Sequence, residues 1–126
     1  MGVFTFWLPL GMVRQIEFFG SHFQEFYLKQ PVNVRTKIQY VFNLVRTEPR
    51  VPEKFFKHLT GTDGLYEIRV EVSNSIYRIF CFFDAGSLVV VANAFQKKTP
   101  QTPRTELERA LRLKAEYFQQ KSRSHP

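Results

Sequence analysis

The fold is decided by residues 66–83, which read YEIRVEVSNSIYRIFCFF. Apolar and charged residues alternate along 66–72, and a second alternation runs from Tyr77 to Phe83. A period of two is typical of strands, because successive side chains point to opposite faces of a sheet. We therefore predict a hairpin with one apolar face, whose other face carries Glu67, Arg69, Glu71, Arg78, Phe80 and Phe82.

The turn of this hairpin determines which residues pair across it. If Asn74 and Ser75 form a two-residue turn, the expected pairs are Val72 with Tyr77, Val70 with Ile79, Ile68 with Cys81 and Tyr66 with Phe83. This register places Glu71 opposite Arg78 and Arg69 opposite Phe80. A slip of one residue would set apolar positions against charged ones, so the predicted register depends on keeping each face uniform.

Two further strands are predicted outside the hairpin. A short strand over Val13–Phe19 ends at Gly20, and Ser87–Phe95 is a nearly continuous apolar run typical of a central strand. Pro52 is expected to begin a short turn or helix that carries Lys54, Lys57 and His58.

Three helices are predicted from apolar residues that recur every three or four positions. The first follows Ser21, which has capping-box spacing with Gln24, and the second follows Pro31. The third begins near Thr105, which has the same spacing with Glu108. The order of elements predicts an α+β fold: an antiparallel-rich sheet packed by an N-terminal helical hairpin and a C-terminal helix.

Size and charge narrow the class of protein. The chain has 126 residues, so one domain over 1–126 is expected. Lys and Arg number 18 against 11 Asp and Glu, and the formal net charge is +7. An excess of this sign attracts polyanions, of which nucleic acid, an anionic membrane surface and an acidic protein are the candidates.

The two ends and the single cysteine suggest further expectations. Residues 1–11 are either an upstream extension before a start at Met12 or an added edge strand, and residues 120–126 are expected to form a frayed tail. The apolar stretch Val3–Val13 is too short to span a bilayer and lacks the flanks of a signal peptide. Cys81 lies in an apolar run and is expected to be a buried structural thiol, which fits a reducing cytoplasm.

No metal or cofactor is expected. The three histidines lie far apart in sequence, and the chain has no phosphate-binding glycine loop and no nucleophile elbow. What remains is a set of cations around the hairpin that can contact phosphates, made up of Lys54, Lys57, His58, Arg69, Arg78, Lys97 and Lys98.

Three stretches resemble the core of phage-type HigB toxins of the RelE/ParE superfamily. They are LTGTDGLYEIRV at 59–70, YRIF at 77–80 and AFQKKTP at 94–100. The resemblance covers roughly residues 12–117 and implies the RelE-like fold. Most members of that superfamily are ribosome-dependent mRNA endonucleases. The resemblance therefore implies a cytoplasmic toxin that binds the ribosome and mRNA and needs no cofactor. It also implies that a HigA-like helix-turn-helix antitoxin silences this toxin.

The inferred reaction is metal-independent attack of an RNA 2′-hydroxyl on the adjacent phosphate. Cationic side chains offset the charge that develops in the transition state. Arg69 and Arg78 match the arginines of the family's strand motifs, while Lys97 and Lys98 match its basic pair. We expect these four to bind phosphate, although each is open to a second interpretation as a solvated or salt-bridged charge.

The general acid and base are less well determined. An imidazole titrates closest to neutrality, which makes His58 a candidate, and Glu67 is a second candidate base if its face of the hairpin is open. Lys54 and Lys57 are expected to bind the RNA backbone, and Tyr66 is a candidate for stacking on bases. Some relatives have a tyrosine just after the basic pair, where this chain has Gln101, Thr102 and Pro103.

Two alternative functions fit the same resemblance. One is a ParE-like toxin that inhibits DNA gyrase without hydrolysing RNA, and the other is a catalytically silent relative that binds RNA or protein. Both remain open at the level of sequence, because a shared fold does not fix a function.

Overall fold

A computed structural model describes residues 11–124 of the chain. The α+β prediction is confirmed. The elements in chain order are β1 (Gln15–Phe18), α1 (His22–Leu28), α2 (Val32–Thr47), β2 (Phe56–His58), β3 (Leu65–Val72), β4 (Ser75–Asp84), β5 (Leu88–Lys97) and α3 (Arg104–Ser124). Of the predicted N-terminal extension, only Gly11 lies within the described residues.

The strands form one five-stranded sheet in the order β1-β5-β4-β3-β2. Strand β1 runs parallel to β5, and the other neighbouring strands are antiparallel. Strand β5 therefore lies inside the sheet, as its continuous apolar run predicts. A register shift between Phe80 and Cys81 marks a bulge in the β4–β5 pairing.

Helices cover the two faces of the sheet unequally. On one face, α1 and α2 bury an apolar cluster against the hairpin that includes Ile38, Phe42, Ile68 and Ile79. On the other face, α3 packs Ala110 and Leu113 onto a second cluster that includes Leu65, Phe80 and Phe82. Helix α3 covers the part of that face near Leu65 and Phe82. The charged residues of the hairpin on the other side of Phe80 therefore lie at the edge of the area that α3 covers. No helix in residues 11–124 is long and apolar enough to cross a membrane.

The predicted hairpin register was wrong by two residues. Ser73 and Asn74 form the turn, with Ser73 at φ 56°, and Val72 pairs with Ser75. A shift of two residues leaves every side chain on its predicted face, so uniform faces could not distinguish the two registers. The shift nevertheless changes the neighbours, because Arg69 lies opposite Arg78 instead of Phe80.

Other local predictions also needed correction. Phe56–His58 pairs with β3 as an edge strand, which a three-residue segment is too short to reveal by alternation. Ser21 makes no side-chain cap and its hydroxyl instead donates to Glu25 at 3.0 Å, while Thr105 lies inside α3. The tail is helical through Ser124, because Lys121 anchors the end of α3 by donating to both carboxylate oxygens of Asp84 at 2.7 Å.

Candidate functional site

The charged face of the hairpin brings most of the predicted phosphate-binding residues together. Residues that lie directly opposite each other in neighbouring strands share a face. Lys57 is opposite Glu67 and Arg69 is opposite Arg78. Arg78 is opposite Phe95, and Lys97 follows Phe95 by two positions on β5, which puts Lys97 on the same face.

The centre of this face is a buried ion pair. The Arg78 Nη2 atom donates to the Glu67 Oε1 atom at 2.5 Å, and both side chains are almost fully buried. The Arg78 Nη1 atom donates to the Thr102 hydroxyl at 2.7 Å. The guanidinium also lies 5.3 Å from the ring centre of Phe80 and 5.6 Å from that of Phe95. Arg78 is therefore fixed on several sides and joins the hairpin to the segment before α3.

Arg69 is held more loosely beside this pair. Its side chain is 31% exposed, and its Nε atom is 3.8 Å from the Glu71 carboxylate, beyond hydrogen-bond distance. That Nε atom is buried and has no hydrogen-bond partner among the described residues. Two arginines directly opposite each other repel, so their side of the sheet favours an anion.

The other predicted lysines lie around this centre and are partly or fully exposed. Lys97 ends β5 and is half-buried, and Lys98 is exposed just after it. Lys57 is exposed on the edge strand β2, and Lys54 lies in the preceding turn with its ammonium 5.0 Å from the centre of the Phe55 ring. The predicted cations therefore outnumber Glu67 and Glu71, and the region attracts polyanions.

His58 and Tyr66 lie on the opposite face of the sheet. They are direct neighbours across β2 and β3, with ring centres 5.1 Å apart, and alternation along the strand turns them away from Lys57 and Glu67. Tyr66 packs against the apolar cluster under α1 and α2, with its ring 5.0 Å from that of Phe83. The sheet therefore separates these two residues from Arg69 and Lys97.

Sequence reasoning missed two polar contacts that organise the face. Thr102 is separated from Arg78 by 24 positions, and no local pattern connects them. Asn93 is almost fully buried beside the bulge, and its amide donates to the backbone oxygen of Glu106 at 3.1 Å and to the Glu106 carboxylate at 3.0 Å. The only sign of these contacts in the sequence was Asn93 itself, a polar residue inside the apolar run of β5.

Three groups with shifted pKa values lie apart from the cationic face. Hydrogen bonds from Lys121 and Tyr117 lower the pKa of Asp84 below its usual value, while burial and the Asp84 carboxylate raise the pKa of Tyr117 to about 12. Complete burial, followed by the charge of Glu67, raises the pKa of the Cys81 thiol, so the thiol stays protonated and unreactive. Within residues 11–124, no group of three or more His, Cys, Asp or Glu side chains gathers to hold a metal ion.

The arrangement suits binding of a phosphodiester at a surface site. Arg69 and Lys97 supply accessible donors, and the fixed Arg78 adds positive charge next to them. Cations close to a bound phosphate stabilise the negative charge that builds on its oxygens during reaction.

Comparisons with known proteins agree with this fold. A chain of the crystal structure of the archaeal RelE–RelB complex from Pyrococcus horikoshii OT3 superposes with a TM-score of 0.51 at 16% identity. The match covers 72% of this chain and 100% of that one. No curated protein sequence gave a significant match.

The sequence matches one family model over most of its length. Residues 25–115 match the model described as phage derived protein Gp49-like (DUF891). The matched segment runs from α1 into α3 and includes β3, β4 and β5, with the basic pair Lys97 and Lys98. The chain therefore belongs to the phage-derived Gp49-like family and has a RelE-like fold.

Proposed function

We propose that this protein is the toxin of a type II toxin–antitoxin system and cuts mRNA on the ribosome as a HigB-like endoribonuclease. The observation that carries the proposal is the cationic face, where Arg69 lies opposite Arg78 and Lys97 shares their side of the sheet. Membership of the Gp49-like family and the likeness to a RelE–RelB chain support the same function.

The proposed reaction breaks the RNA chain without a cofactor. A 2′-hydroxyl oxygen loses its proton and attacks the adjacent phosphorus, and the 5′-oxygen leaves with a proton to give a cyclic phosphate. Negative charge on the phosphate oxygens rises in the transition state. Arg69 and Lys97, with Lys98 beside them, donate to those oxygens, and each such donor typically contributes about a hundredfold to a thousandfold in rate.

Arg78 and Glu67 hold the site in position in this proposal. Both nitrogens at the end of the Arg78 side chain have protein partners, and Glu67 is bound to Arg78. This ion pair disfavours Glu67 as a free general base. The sheet separates His58 from Arg69. We therefore attribute the rate acceleration by this chain to stabilisation of negative charge in the transition state.

The lysines at the β2 edge of the sheet bind the RNA backbone in this proposal. Lys54 and Lys57 are exposed at the β2 side of the cationic face, and each contact of this kind releases a counterion when phosphate binds. Truncation of these lysines should weaken binding more at low salt than at high salt, because each lost contact reduces the salt dependence of binding, and should leave the rate on saturated complexes unchanged.

The proposed regulator is a HigA-like helix-turn-helix antitoxin in the cytoplasm. The solved neighbour is itself a chain of a complex between RelE and RelB, which supports a protein partner for the related fold. Such a partner silences the toxin if it covers the cationic face or holds the toxin away from the ribosome.

Sequencing of RNA ends after brief induction tests the function directly. We expect growth arrest and new 5′ ends inside translated messages, and both effects should disappear when the antitoxin is co-expressed. Intact messages together with blocked gyrase would show the ParE-like alternative instead. Equal cleavage of naked RNA and of ribosome-bound RNA would contradict ribosome dependence.

A further inference from the structure

An aromatic groove lies on the side of the molecule that carries the helical hairpin. It has a volume of about 260 Å³, and its lining residues are Phe18, Gly20, Phe23, Gln24, Tyr27 and Gln39. The Phe18 ring stacks on Phe23 with 5.3 Å between centres, yet Phe18 is 50% exposed. The Gln39 amide donates to the Tyr27 hydroxyl at 3.2 Å, which joins the two helices beside the groove.

Among the described residues, the exposed large apolar side chains are confined to this part of the chain. Within residues 11–124, the exposed large apolar side chains all lie between positions 13 and 40, namely Val13, Phe18, Leu28, Val32 and Tyr40. Leu28 and Val32 are more exposed than Phe18. Leu28 follows Gln24 by four positions on α1, and Val32 precedes Gln39 by seven on α2. Helical geometry therefore puts each of them on the stripe that borders the groove.

The α2 side of this border carries charge of a single sign. Arg35, Gln39 and Arg46 share the α2 stripe of Val32 by their spacing, and α2 contains no Asp or Glu from Val32 to Thr47. The Arg46 guanidinium lies 5.9 Å from the centre of the Phe42 ring and has no carboxylate partner among the described residues. Arg35 donates its Nε–H to the backbone oxygen of Gln30 at 3.1 Å and likewise has no carboxylate partner there.

We infer that this groove is the docking site of the antitoxin, which inserts an amphipathic segment with apolar side chains flanked by carboxylates. The inference rests on the proposed function, because the partner is the antitoxin of that proposal. Apolar side chains of the segment cover Phe18, Leu28 and Val32, and its carboxylates approach Arg35 and Arg46.

The chemistry of the groove favours a protein over RNA as the occupant. The groove does combine cations with aromatic rings, as RNA-binding surfaces do, but the exposed Leu28 and Val32 on its border are aliphatic and gain most from contact with other apolar side chains. A second copy of this chain is less suitable, because it would bring the same acid-free α2 surface and place Arg35 and Arg46 against like charges.

The site also lies apart from the chemistry. The groove is on the α1 and α2 side of the sheet, whereas Arg69 and Lys97 are on the other side. Docking here leaves the cationic face free for a second segment of the antitoxin. It also allows inhibition by holding the toxin off the ribosome.

Affinity measurements with three variants test the inference. The probe is the purified protein encoded by the reading frame next to this chain's own, titrated into the full chain. Phe18→Ala removes one wall of the groove, Val32→Glu puts an acid on its border, and Arg46→Glu reverses a cation. Arg123→Glu, on the exposed end of α3, is the matched charge-reversal control. Each groove variant should weaken binding at least about tenfold, and the control should bind as the parent does.

The outcomes separate this inference from the proposed function. If the parent chain does not bind the probe, the antitoxin claim fails and the inference fails with it. If the parent binds and the three groove variants bind equally well, the docking site is wrong while the proposed function stands. Loss of self-association by the variants, without loss of probe binding, would show a homodimer face and overturn the inference. Val32→Glu keeps the test independent of folding, since Val32 is 67% exposed.

Discussion

Removal of one partner from the Glu67–Arg78 pair should strongly destabilise the fold. Glu67→Met leaves a guanidinium whose side chain is 9% exposed without its counterion. An uncompensated buried charge costs about 3–5 kcal/mol in free energy of unfolding. For a domain of this length, that loss lowers the thermal midpoint by roughly 10–20 °C. Arg78→Met should cost a similar amount, because it strands the Glu67 carboxylate.

The second ion pair on the same face provides a matched control. Arg69 and Glu71 are 3.8 Å apart, with side chains 31% and 58% exposed. Pairs exposed to this degree contribute about 0–1 kcal/mol, so Glu71→Met should leave the thermal midpoint within a few degrees of the parent value. The comparison holds the strand, the face and the substitution constant, while burial and the distance between the paired charges change.

Urea denaturation of the four combinations at positions 67 and 78 measures the coupling between them. The double variant Glu67→Met with Arg78→Met should recover a large part of what either single change loses, since no buried charge then remains. If Glu67→Met costs no more than Glu71→Met, or if the two single losses simply add, the buried pair does not organise the site.

Three further predictions concern contacts away from the cationic face. The Arg14 guanidinium donates to the backbone oxygens of Val45, Glu48 and Pro49 at the end of α2, so Arg14→Ala should lower the unfolding free energy by about 1–2 kcal/mol. Arg14→Lys should recover only part of that loss. The pKa of Asp84 is lower in the folded chain than in the unfolded chain, so its carboxylate stabilises the fold at pH values above the unfolded pKa. This stabilisation is lost as the pH falls through the folded pKa. The unfolding free energy measured in urea below pH 4 should therefore depend less on pH for Asp84→Asn than for the parent. Ellman's reagent should label Cys81 only at the rate of unfolding, and rapid labelling of the native chain would contradict its burial.

The sequence contained enough information for the class of fold and for the faces of its strands. Periodicity predicted the hairpin, the apolar run of β5 and the three helices, because each pattern reflects burial on one side of a regular element. It did not predict β2, since a three-residue edge strand is defined by its pairing with β3. The hairpin register escaped prediction for a related reason, because registers that differ by two residues bury the same side chains.

For the candidate site, the sequence suggested which residues to consider but not how they are arranged. The sequence identified Arg69, Arg78, Lys97 and Lys98, and the structure places Arg69, Arg78 and Lys97 on one face. It could not show that Arg78 is buried with Glu67, because that contact depends on the register. It also gave no indication of Thr102, whose position next to Arg78 results from the path of the chain between β5 and α3.

Single-turnover cleavage on programmed ribosomes is the sharpest test of the proposed roles of Arg69 and Lys97. The parent chain, Arg69→Ala, Lys97→Ala and Lys57→Ala would be compared at saturating toxin, after thermal melts confirm that each variant is folded. Loss of a group that acts only in the transition state lowers the rate without an equal loss of binding. We predict that Arg69→Ala and Lys97→Ala each cut about a hundredfold or more slowly than the parent, while Lys57→Ala cuts at nearly the parent rate. Equal cleavage rates for all four proteins would remove the cationic face from the chemistry and contradict the proposed function of this site.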